Sequence, residues 1–89
     1  MKKYEIFYED TKIGVLEIND KNQHKYTPDS NGIEKVREEI SIFYEMLIKS
    51  DWREPIPFFE NRIKDAKRFS QEKMISNQTD PFRMVMVSD

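Results

Sequence analysis

The chain has 89 residues, of which 15 are basic and 17 acidic, for a formal net charge of −2; it has no cysteine, and 12% of its residues are aromatic. This length holds one core rather than two, the interspersed charge creates no field for nucleic acid or an anionic membrane, and the missing cysteine excludes a disulfide framework, thiol chemistry and cysteine-type zinc sites. The aromatic content exceeds what a disordered chain carries, so a single small domain over residues 1–89 is expected, with the reducing cytoplasm as its compartment.

The opening "MKKYEIFYED" starts with two lysines, but Glu5 and Glu9 break the apolar stretch that a signal peptide needs. No other apolar run is long enough to span a bilayer, so no membrane association is expected. Tyr4, Ile6 and Tyr8 alternate with Lys3, Glu5 and Phe7, the pattern of a half-buried strand. After the polar "EDTK", Ile13 to Ile18 reads as a second strand that closes a β-hairpin, with Leu16 and Ile18 on one face and Ile13 and Val15 on the other. Gly14 weakens that strand unless the backbone bulges or something packs tightly against it. "NDKN" is a turn, and "QHKYT" adds a third short strand that Pro28 stops.

"PDSNGIEKVREEISIFYEML" carries the strongest periodicity, since Ile33, Val36, Ile40, Phe43 and Leu47 follow three- and four-residue steps along one helical face. Asp29, Ser30 or Asn31 can cap this helix, and Asn31 with Glu34 would form a capping-box-like pair. Over residues 40–48 the run "SIFY" suits helix and extended chain equally. Pro55 and Pro57 then force a turn and an extended entry. Phe58 to Phe69 follows as a second helix, with Phe59, Ile63 and Ala66 on one face, Glu60 early, and Lys67 and Arg68 late. "SQEKMISNQTDP" reads as polar connection, and "FRMVMV" as a final strand returning to the sheet. The expected fold class is α+β: a small antiparallel sheet in the order β-β-β-α-α-β, with two helices packed on one face.

The residues that carry chemistry are sparse. His24 is the only histidine and lies in a strand with no nucleophile motif beside it. Its spacing to Asp20 and Asp29 matches no metal-ligand pattern. Glu38 with Glu39, and Glu9 with Asp10, are adjacent acids with nothing apolar around them to raise a pKa, so they read as a solvated face. Gly14 and Gly32 are the only glycines and cannot build a phosphate loop. No catalytic residue, cofactor or metal is therefore expected, and the chain is read as a non-enzyme. Arg62, Lys64, Lys67, Arg68 and Lys73 make the second helix locally basic, but Asp65 and Glu72 interrupt the cluster, so nucleic acid is not the expected partner.

The stretch "REPIPFFENRIKDAKRF" combines two prolines with three phenylalanines just after Trp52, the sole tryptophan. Tryptophan and arginine are enriched at interface hot spots, and adjacent helical residues point about 100° apart, so Phe58 and Phe59 cannot share the centre of one stripe. Phe59 is expected in the core with Ile63. Trp52, Arg53, Pro57, Phe58, Asn61 and Arg62 are the expected partner-binding residues, with the prolines holding the ridge stiff and so lowering the entropy cost of docking.

The hairpin "KIGVLEI", the following "HKYTPD" and the segment "PIPFFENRIKDAKR" occur in the order found at the N-terminus of HipA-type kinase toxins, which this chain resembles from Lys3 to Arg68. The resembling pieces are Ile13-Gly14-Val15-Leu16, Tyr26 with Asp29, and Pro57-Phe58-Phe59-Glu60-Asn61. The chain departs from that family after "FFEN", where a leucine-leucine-proline-like stop is replaced by Arg62-Ile63-Lys64-Asp65, and it lacks the kinase lobes. The resemblance implies a non-enzymatic module of the toxin–antitoxin kind, one that binds and restrains a HipA-like kinase. The alternative is a stand-alone small bacterial-type domain, either a nucleic-acid accessory using the basic helix or a protein that self-associates, as a homo-oligomer, through a sheet edge.

Overall fold

The computed structural model describes residues 1–89. Strands β1 (Lys2–Tyr8) and β2 (Thr11–Ile18) form the expected hairpin, with Tyr4 opposite Leu16 and Ile6 opposite Gly14. Its connection is tighter than the sequence suggests, because Glu9 takes a left-handed φ of 50° and the chain reverses over two residues. Strand β3 (His24–Pro28) pairs with β2, and Pro28 is its last residue, opposite Gly14.

The faces of β2 differ from the expected split. Pairing slips between Ile6 and Phe7, so that Gly14 faces Ile6 while Lys12 faces Phe7. Ile13 is the extra residue of a bulge. The bulge turns Ile13 into the core with Leu16 and Ile18, leaving Val15 alone on the other face.

The long helix expected after Pro28 is broken. Helix α1 covers only Ser30–Lys35, a single 3₁₀ turn covers Ser41–Phe43, and helix α2 covers Tyr44–Ile48. Asp29 is the cap, its carboxylate accepting from the Gly32 N–H at 3.0 Å, while its own N–H donates to the Ile13 carbonyl at 2.9 Å. The helix start is thus tied to the β2 bulge. Gly32 is required there, since a Cβ would fall on the Lys12 carbonyl. The apolar positions are nevertheless core residues: Ile33, Ile40 and Leu47 are buried, and Val36 and Phe43 pack against them.

Helix α3 (Pro57–Arg68) matches its expected span and orientation, with Pro57 in the first turn and Phe59, Ile63 and Ala66 buried. Two strands follow instead of one, β4 (Met74–Asn77) and β5 (Asp80–Ser88). The five strands form one antiparallel sheet in the order β3-β2-β1-β5-β4. Tyr4, Ile6, Leu16, Tyr26, Phe82 and Met84 from one sheet face join Ile33, Leu47, Ile56, Phe59 and Ile63 in a single core cluster. All helices cover that face. The other face, with Lys3, Glu5, Val15, Glu17 and Lys25, carries none.

Candidate functional site

The segment from Trp52 to Arg62 leaves α2, crosses the outer edge of β3 and enters α3. Pro55 and Pro57 keep it extended, and it attaches to β3 through two reciprocal backbone bonds: the His24 N–H donates to the Arg53 carbonyl at 2.8 Å and the Arg53 N–H to the His24 carbonyl at 2.9 Å. A third bond follows from the Ile56 N–H to His24 Nδ1 at 3.1 Å. Ile56 is buried beneath this clamp.

Three of the residues singled out in the sequence are built into the fold. Arg53 extends back to α2, donating through Nη2 to the Met46 carbonyl at 3.2 Å. The half-buried Phe58 ring contacts Phe43 at 4.9 Å, Phe82 at 4.8 Å and Phe59 at 5.2 Å between centroids. Arg62 lies 3.8 Å above that ring, donates to the Asp80 carboxylate through Nε and Nη2 at 2.9 and 3.3 Å, and donates through Nη1 to the Phe58 carbonyl at 2.7 Å. A planar cation stacked on an aromatic and held by a carboxylate fork has little left to offer a partner. The other three residues remain on the surface. Trp52 is 37% exposed, with Lys25 Nζ 5.9 Å from its ring centre, and Pro57 and Asn61 are exposed. Phe59 is fully buried and stacks on Tyr26 at 5.6 Å and 15°.

The basic residues of α3 are also largely occupied. Lys64 meets Glu60 at 3.6 Å, Arg68 meets Asp65 at 3.9 Å, and Arg62 is held by Asp80. The pairs of Lys64 and Arg68 lie at the surface and contribute little stability, but together with the partly buried Arg62–Asp80 pair they dilute the positive surface that a phosphate backbone needs.

His24 is 1% exposed. Burial lowers its pKa, Arg53 lowers it further, and Glu60 opposes both; burial is the largest effect. The folded protein therefore resists a proton that the unfolded chain accepts, and stability should fall as pH drops below the ordinary histidine range near 6.5. Urea melts between about pH 7.5 and 5.5 should show this loss, and His24→Gln should flatten the profile. An equally steep profile in the variant would show that another group is responsible. Burial also keeps the Tyr26 phenol neutral, here by holding its proton on: its pKa is raised first by burial and then by Asp29, and it donates to the Ile13 carbonyl at 2.6 Å.

The sequence reading missed a second surface, at the far edge of the sheet. β4 is the outer strand next to β5, and beside it runs a groove of about 180 Å³ between β4 and the end of α3, lined by Ala66, Phe69, Ile75 and Asn77 among others. Phe69 is 71% exposed and Met74 62% exposed at this edge. Met74 lies in a segment with too few buried side chains to alternate, so only Phe69 gave a local signal.

No group of three or more His, Cys, Asp or Glu side chains is placed to hold a metal ion, and no helix is long and apolar enough to cross a membrane. Compared with family models, curated proteins and solved structures, the chain matches none. The likeness to HipA-type segments therefore rests on the quoted residues alone.

Proposed function

We propose that this is a non-catalytic domain that acts by association in the cytoplasm, and that two copies pair through β4. The observation that carries this reading is the difference between the two sheet edges. At β3 the chain bridges the outer edge with Arg53, and α2 packs beside it. At β4 nothing does. The Met86 N–H donates to the Lys73 carbonyl at 2.9 Å and Met74 pairs with Val85, so by antiparallel alternation the amide group of Met74 points away from β5, ahead of a register shift between Ile75 and Asn77. An unpaired, uncharged edge is a template for another strand. A second copy meets it antiparallel about a twofold axis, which makes the contact self-complementary and closed, and brings exposed Phe69 and Met74 out of water on both sides.

Sedimentation and melting across a range of concentrations test this proposal. The parent is expected to form a dimer whose melting temperature rises with concentration. Met74→Lys places a charge at the edge and should give a folded monomer without that dependence. A parent that stays monomeric at every concentration overturns the pairing.

A second reading is favoured by exposed Trp52, Pro57 and Asn61 on a proline-stiffened entry to α3: a protein partner docks there, with a HipA-like kinase as the partner that the sequence resemblance suggests. In that case Trp52→Ala weakens binding to a truncated HipA-like kinase by at least about 1 kcal/mol and leaves the fold intact. Unchanged binding, or no binding by the parent, removes this reading.

A further inference from the structure

A cleft of about 370 Å³ lies between α3 and the turn joining β2 to β3, and His24 lines it. The ring's Nδ1 is already an acceptor for the Ile56 N–H. A neutral imidazole bonded in this way carries its proton on Nε2, and Nε2–H, which donates to no protein group, is what the ring presents to the cleft. The chain's buried polar side-chain atoms without a partner are the Tyr4 hydroxyl and Arg53 Nε; His24 Nε2 is not one of them, so this donor is open to solvent, and to a ligand, on the side where the ring lines the cleft. The apolar part of the cleft is Ile18 and Ile63, and its charged walls balance: Lys2, Lys64 and Lys67 against Asp20, Glu60 and Asp89. Of these, Glu60 is held only by long contacts, to Lys64 at 3.6 Å and to Asn22 at 3.4 Å, and so keeps accepting capacity.

We infer that this cleft binds a small aliphatic zwitterion, a free amino acid by chemical class. Its carboxylate accepts from His24 Nε2–H and pairs with Lys67, its ammonium faces Glu60, and its alkyl chain lies on Ile18 and Ile63. A ligand of one net sign gains from half of the walls and is repelled by the other half. The volume is near the lower end for ligand sites, about 300–1,000 Å³, which suits a molecule of this size. This inference is independent of pairing through β4, which is on the far side of the sheet order from β3.

L-leucine is the probe, with acetate and methylammonium as single-charge controls. The chain has one histidine, so long-range proton–nitrogen NMR reports its imidazole without ambiguity. Leucine should move the Nε2 resonance saturably and bind at least about tenfold more tightly than either control. Lys67→Ala should weaken leucine and acetate together by about tenfold, and Glu60→Gln should weaken leucine and methylammonium while sparing acetate. Both changes are on the surface of α3 and leave the His24–Ile56 bond in place. No saturable shift with leucine overturns the inference, as does acetate binding as well as leucine, or leucine affinity unchanged in both variants.

Discussion

Phe59→Ala is expected to lower unfolding stability by about 3–5 kcal/mol, the cost of removing a fully buried aromatic side chain and leaving a cavity. Phe59 is 0% exposed. It stacks on Tyr26 and meets Phe58 edge-on at 5.2 Å, so it is the point where α3 grips β3. Its loss also removes support from the ring whose hydroxyl holds the Ile13 carbonyl at 2.6 Å, and the damage extends to the bulge. Small domains have only about 5–15 kcal/mol in total, so the variant should melt far below the parent or be partly unfolded at room temperature. Phe58→Ala should cost about 2–3 kcal/mol, because its half-buried ring carries Arg62; this differs from the sequence-based expectation that Phe58 chiefly serves a partner. Trp52→Ala should stay within about 1 kcal/mol, as an exposed substitution does. Urea melts of the three variants decide the order. A Phe59→Ala protein as stable as Trp52→Ala would show that α3 is not anchored in this way.

Much of the fold could be read locally. The alternation of Tyr4, Ile6 and Tyr8 and the steps from Phe59 to Ile63 to Ala66 were sufficient, because one face of each element meets the core and the other meets water. The same logic misled after Pro28. Ile33, Ile40 and Leu47 are buried at helical spacing, yet the chain between them leaves the helix at Val36, whose φ is −119°. β-branched residues at 33, 36, 40 and 42 lower helix propensity along this run, and short helical pieces joined by turns place the same side chains in the core. Periodicity identified the buried residues correctly and the continuity of the backbone incorrectly. β4 was unreadable for the opposite reason: only Ile75 among its residues is even half-buried, so there is no alternation to detect.

The candidate sites were less legible because they depend on partners far apart in sequence. Arg62 looked available until Asp80, 18 residues later, was found holding it. His24 looked like an isolated histidine, and its fixed tautomer depends on Ile56, 32 residues later. That β4 is an edge follows only from strand order, which local pattern does not encode. Gly14 was different: a glycine inside a strand pattern predicted either a bulge or a close approach, and both occur at that point.

Gly14→Ala is expected to cost about 2–5 kcal/mol, from overpacking together with a strained or lost buried hydrogen bond. A methyl at this position would overlap the Tyr26 hydroxyl and ring carbon and crowd the Thr27 carbonyl. Tyr26 cannot simply rotate away, since it is fully buried, stacked on Phe59 and bonded to the Ile13 carbonyl. That carbonyl also accepts the Asp29 N–H at 2.9 Å, so displacing the phenol disturbs the start of α1 as well. The alternative, slipping β2 by one residue, would turn Leu16 and Ile18 towards water. Tyr26→Phe separates the contributions, because it removes the atom nearest to the new methyl and also the hydrogen bond. The two substitutions should therefore be non-additive: Gly14→Ala should cost at least about 1 kcal/mol less in the Tyr26→Phe background than in the parent, with crowding by the ring and Thr27 accounting for the remainder. Equal costs in both backgrounds would mean that the phenol does not occupy the space above Gly14, and that the glycine serves the bulge alone.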